Sequence, residues 1–155
     1  MTPDLVPPTE HVQTSPIRLY DLRAIELATV LSSEFAGAYL VARNLRALGQ
    51  PKQSRNALLW GFLALVPLTL LIFSIVIPER FEPLLAVLVQ GGQAVAVHVF
   101  AKRSHGDALA KHASTGGAFY SRWRAAGVAL LVIPVPLIVM VLVALAFPRL
   151  PALAE

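Results

Sequence analysis

From residue 56 onward the chain alternates long apolar runs with brief charged punctuation. Three stretches hold no Asp, Glu, Lys or Arg: 56–78, 83–101 and 125–148, of 23, 19 and 24 residues. An α-helix of roughly 20 apolar residues crosses the hydrocarbon core of a bilayer. The pattern therefore predicts transmembrane helices over 56–77, 83–101 and 125–147. Pro67 lies inside the first of these, where a neighbouring helix or a local backbone adjustment absorbs the missing donor. Pro83 suits a first-turn position, and the Pro134-x-Pro136 pair is expected to kink the last helix.

A fourth run, 22–42, is closer to balance. Its apolar residues Leu22, Ile25, Leu27, Val30, Leu31, Phe35, Leu40 and Val41 favour insertion by roughly 3–4 kcal/mol in total, and a central charge such as Glu34 costs about 2.5–3.5. Glu26 lies nearer the end and reaches the interface. Ala24, Ala28, Ser32 and Ala36 recur every four residues and Ser33 pairs with Gly37, a spacing that lets helices approach closely in lipid. No Lys or Arg falls between Ala24 and Ala42, so the broad cationic face of a surface-lying helix is missing. The expectation is an all-α polytopic membrane protein with four transmembrane helices, three being the alternative, joined by short helical hairpin connections. A flexible Pro-rich tail, 1–21, precedes this single domain, 22–147, and a short tail, 148–155, follows it. The first twenty residues lack the basic-then-apolar layout of a cleavable signal peptide, so the apolar runs themselves are expected to direct insertion.

Composition supports hydrocarbon as the solvent. Of 155 residues, 56% are hydrophobic and 14% charged, against about 25% charged in an average soluble domain. That excludes a water-soluble domain and a disordered chain. The absence of cysteine excludes a disulfide scaffold, a thiolate metal site and a cysteine nucleophile.

The net charge of +4 does not indicate a nucleic-acid partner, because the basic residues flank the apolar runs and form no stripe with interleaved aromatics. Arg43, Arg46, Lys52 and Arg55 occupy 43–55. Lys102, Arg103, Lys111, Arg122 and Arg124 occupy 102–124. The positive-inside rule makes these two loops cytoplasmic, and four spans then put both termini outside, whereas three spans bring the N-terminus to the cytoplasm. Trp60 and Trp123, with Tyr39 and Tyr120 at similar depth, match an aromatic interfacial belt on the same side.

Glu34 is the principal candidate for chemistry, since an ionisable residue deep in a span marks a functional site by default. Counting along antiparallel helices sets it level with Val95, between Gln93 and His98. Two roles follow: a hydrogen bond to Gln93 or His98 that joins helices, or a proton-coupling carboxyl. Gln90, Gln93 and His98, with Gly91 and Gly92 between them, form the other intramembrane polar cluster, and the glycines are expected to permit close helix packing. The seven-residue spacing of His98, His105 and His112 is too long for two imidazoles on one helix to share a metal. Neither a phosphate-cradling GxxxxGK[ST], nor HExxH, nor GxSxG occurs, so no catalytic residue, metal or cofactor is assigned. Arg122 and Arg124 among Phe119, Tyr120 and Trp123 read as a segment facing anionic lipid headgroups.

The stretch His112…Gly116-Gly117…Ser121-x-Trp123-Arg124-Ala125-x-Gly127, running into the last apolar run, resembles a pattern in small bacterial membrane proteins of unknown function. Leu27-Ala28-Thr29…Ala36-Gly37 is similar to the same group. The resemblance implies a multi-pass bacterial inner-membrane protein and carries no activity. The expected function is a non-enzymatic structural or interaction subunit, with the lipid bilayer and either a second copy or another membrane protein as partners. The alternatives are a small proton-coupled transporter using Glu34 and an immunity or regulatory factor against a membrane-acting toxin.

Overall fold

In the computed structural model, which describes residues 17–74 and 79–146, the expected first span is two helices. Helix α1 covers Leu22–Leu31 and α2 covers Glu34–Ala47. Asp21 caps α1, its Oδ1 accepting from the Ala24 amide at 2.7 Å. The ladder closes with the Ser32 amide on the Ala28 carbonyl and restarts with the Ala36 amide on the Ser33 carbonyl. Between them Ser33 is extended, with φ −173° and ψ 171°. A serine at the N-cap position followed by an acid in the first turn is what a new helix start favours.

The two helices fold back on each other. A straight helix would separate residues 20 and 44 by about 36 Å. Instead the Asn44 side chain bonds both backbone groups of Tyr20 at 2.8 Å. Nearer the turn, a methyl group added to Gly37 would collide with Thr29 Oγ1 and lie 2.7 Å from Val97. Segment 22–47 is therefore a helical hairpin with its tip at Ser32–Ser33, and the four-span expectation is corrected here. The reason is the near-balance of its insertion energy: two short helices bury Glu34 inside protein, where irregular backbone is tolerated.

Gly49, at φ +76°, closes α2, with the Gln50 amide bonding the Leu45 carbonyl at 2.8 Å. That left-handed conformation suits glycine, and Pro51 opens the next helix. Three long helices follow: α3, Pro51–Ser74; α4, Glu82–Ser114, after a short 3-10 turn at Glu79–Phe81; and α5, Arg122–Val132, continuing as α6, Pro134–Ala146. All three, with α5 and α6 taken as one, are long and apolar enough to cross a membrane. They match the predicted runs, extended at their basic ends. The break between α5 and α6 falls at Pro134, as the proline pair implied. Helix α4 runs on through the first half of the expected 102–124 loop and bends at His105, whose backbone leaves helical geometry.

The hairpin fills the centre of the bundle. Helix α1 packs against α2, α4 and α5, while α2 packs against α3, and α3 meets α6. Ala24 and Ala28 of α1, Ala101 of α4, and Ala125 and Ala129 of α5 are fully buried, so their small side chains set the close approach of these helices. A smaller cluster joins Leu65 to Val139 and Val143 beside Phe35.

Residues 17–21, expected as the end of a flexible tail, are built into the fold. Leu19 pairs with Phe119 as an isolated bridge, the Tyr120 amide bonding the Leu19 carbonyl at 2.8 Å, and Leu19 and Tyr20 are buried. Residues 17–21 thus share one end of the bundle with 43–55 and 102–124. Among the described residues every Lys and Arg except Arg80 belongs to that end.

Candidate functional site

Helices α3 and α4 stand apart over an elongated apolar groove of about 640 Å³, floored by Glu34 and Ala38 of α2. Ala57, Gly61 and Ala64 of α3 and Gly92 and Ala96 of α4 leave the space, and Trp60, Leu71, Leu88 and Phe100 rim it. These four rim residues are exposed, so the groove opens sideways, toward the medium that surrounds the helices. Its volume lies within the usual range for small-molecule sites.

Glu34 is the acid of the groove and Gln93 its other strongly polar side chain. Glu34 is only 7% exposed, and neither carboxyl oxygen has a hydrogen-bond partner among the described residues. Gln93 Oε1 is likewise buried without a partner, as are the hydroxyls of Ser32 and Ser33 at the hairpin tip. Gln93 stands near the middle of the charge-free run 83–101. Most buried polar atoms in folded proteins are satisfied, and of the unpartnered ones among the described residues Glu34 and Gln93 are the two that line the groove.

The expected neighbours of Glu34 divide. Gln93 shares the groove with it. His98 does not, because its Nδ1 donates to the Glu26 carboxylate, a pair bridging α4 and α1. Glu26 was expected to reach the interface on its own and instead has this partner. Gln90 is half-buried with its Oε1 unpartnered, yet it lies outside the groove lining. Gly91 and Gly92, expected to pack closely, face open space, since a Cβ on either meets nothing within 4 Å. Between helices the closely packed glycines are Gly37 and Gly61, where an added Cβ would strike Val97 and Ala38 respectively, while Gly117 lies against the His112 ring.

The three histidines serve different partners. His105 Nε2 accepts from Asn44 Nδ2 at 3.2 Å, and His112 Nε2 donates to the Ala118 carbonyl at 3.0 Å, its ring edge-on to Phe119. Among the described residues no cluster of three or more metal-ligating side chains forms. Trp60 and Trp123 are exposed, as an interfacial belt requires. Arg122 reaches Asp21 at 3.8 Å, and the Arg124 guanidinium lies 4.3 Å over the Tyr120 ring. Both cations therefore brace the basic end as well as facing outward.

Asn44 is the polar residue that sequence reasoning missed. It is buried, and it ties the segment 17–21, α2 and the bend of α4 together through three hydrogen bonds. Its partners lie 24 and 61 positions away, so no local pattern reveals it. Ser33 before Glu34 is a helix-start pattern that could have revealed the hairpin tip, but the small-residue spacing reads both serines of 22–42 as packing residues of one continuous span. No protein-family model, curated protein or solved structure matches this chain.

Proposed function

We propose that the protein is a small proton-coupled membrane transporter, with Glu34 as the group that gains and loses the proton. The observation that carries this reading is the Glu34 carboxyl, buried without a partner on the floor of a laterally open groove. The competing role for Glu34, a hydrogen bond that joins helices, loses its support because neither Gln93 nor His98 bonds it. An ionisable group inside an apolar span marks a functional site by default, and reversible protonation of a carboxyl is the chemistry of proton coupling. The start of α2 at the same point adds the positive end of a short helix, an arrangement that broken helices bring to midplane sites.

Orientation and location belong to the same proposal. The basic end faces the cytoplasm by the positive-inside rule, which puts residues 17–21 there too. The resemblance to small bacterial membrane proteins supports the inner membrane. A reading as a non-enzymatic interaction subunit keeps one favourable observation: Ala57, Gly61 and Ala64 form a small-residue stripe that would accept a partner helix.

Two measurements on the reconstituted full chain test the transporter reading. A hydrophobic carbodiimide should add once to wild type, more slowly as pH rises, and not to Glu34→Gln. In vesicles with an imposed pH gradient, wild type should dissipate the gradient faster than Glu34→Gln. Equal rates for wild type, Glu34→Gln and protein-free vesicles would overturn the transporter and leave the interaction subunit.

A further inference from the structure

We infer that the α3–α4 groove takes an organic cation with a bulky apolar body, drawn sideways from the hydrocarbon, in exchange for the Glu34 proton. This rests on the proposed role of Glu34 and names the substrate class of that site. The groove walls are almost wholly aliphatic and aromatic, so a ligand must bring apolar surface to gain from binding. Its floor holds one carboxyl and one amide, a set that recognises positive charge. Trp60 and Phe100 at the rim add ring faces that attract cations. An anion would find no counter-charge, since among the described residues no Lys, Arg or His lines the groove. A small hydrated ion would have to shed its water into an apolar trough that offers only two polar side chains.

The charge balance is simple. Written from the acid form of Glu34, the seating cation displaces the proton: the carboxyl O–H bond breaks, the proton leaves to water, and the site gains one positive charge as it loses another. Among the described residues no other titratable or charged side chain lines the groove from α2, α3 or α4. Of the neighbouring titratable groups, Glu26 and His98 pair with each other between α1 and α4. Arg122 and Arg124 of α5 lie at the basic end. Glu34 is thus the group that couples the cation to the proton.

The test uses two probes of matched shape and opposite charge, tetraphenylphosphonium and tetraphenylborate, with the purified full chain in mild detergent. Tetraphenylphosphonium should bind saturably and about tenfold more tightly per pH unit while Glu34 remains protonated, one proton being released for each cation. Tetraphenylborate should not saturate. Glu34→Gln should abolish the pH dependence and weaken phosphonium binding at least tenfold, whereas Glu26→Gln should leave both unchanged. Gly92→Leu supplies a second variant, because its side chain enters open space in the groove; it should block the phosphonium while the protein elutes as wild type does. Saturable borate binding, or phosphonium binding indifferent to both Glu34→Gln and Gly92→Leu, overturns the inference. Absence of phosphonium binding alongside intact carbodiimide labelling and Glu34-dependent proton flux overturns the substrate class alone. Loss of all three overturns the transporter reading as well.

Discussion

Asn44 shows how much one buried amide holds when its partners are backbone groups. It accepts from the Tyr20 amide and donates to the Tyr20 carbonyl, and its second donor reaches His105. Replacing it with leucine strands two main-chain groups of a buried residue, and each buried group left unsatisfied costs about 1–3 kcal/mol. Asn44→Leu is therefore expected to destabilise the protein by about 2–5 kcal/mol, read from chemical unfolding in micelles; a loss under 1 kcal/mol would show the network to be incidental. Asn44→Asp keeps the acceptor toward the Tyr20 amide but loses both donated bonds, so it should lie between. At this scale the sequence was half legible. Glu34 stood out because a charge in an apolar run is conspicuous on its own. Asn44 did not, because it falls just beyond the expected span, among arginines that made 43–55 read as a solvated loop.

At the scale of elements, the three long helices were legible because hydropathy summed over 20 residues depends on composition and hardly on neighbours. The hairpin was not, for a physical reason. Its insertion energy is near zero, and the stripe of Ala24, Ala28, Ser32 and Ala36 suits a helix packed on others whether it crosses the bilayer or turns back halfway. What separates the two is the contact between Thr29 and Gly37, which no local count contains. That contact supports a paired prediction. Gly37→Ala forces a methyl into Thr29 Oγ1 and against Val97, and overpacking of this kind costs about 1–3 kcal/mol. Gly91→Ala meets nothing within 4 Å and gains helix propensity. Thermal unfolding in detergent should show a lowered midpoint for the first and an unchanged or raised one for the second. Were residues 22–47 a straight helix, Gly37 would have no Thr29 beside it and this ordering would have no cause. Glu34 and Gln93, set near one depth in the sequence by counting down a full span, do line one groove, but for a different reason: both sit where the hairpin tip meets the apolar first half of α4.

For the whole molecule, the hairpin changes which side of the membrane the N-terminal segment occupies, and that is open to direct measurement. With one re-entrant hairpin and three crossings, residues 17–21, 43–55 and 102–124 share a side, so Arg18 and Arg23 join the nine basic residues of the two loops. A four-span chain would hold Arg18 and Arg23 on the opposite face, against the positive-inside bias. The lack of cysteine makes the chain a ready background for single-cysteine labelling. Arg18→Cys, Gln53→Cys and Ser114→Cys replace exposed residues at the basic end, and Glu82→Cys replaces an exposed residue at the other. In sealed vesicles of one orientation, a membrane-impermeant maleimide should label the first three from the same side and Glu82→Cys from the opposite side. Labelling of Arg18→Cys together with Glu82→Cys would restore four crossings and dismantle the hairpin. Glu34 would keep its depth, since a full span over 22–42 also sets it level with Val95, but the break at Ser32–Ser33 that starts α2 beside the groove would have no place in a straight helix.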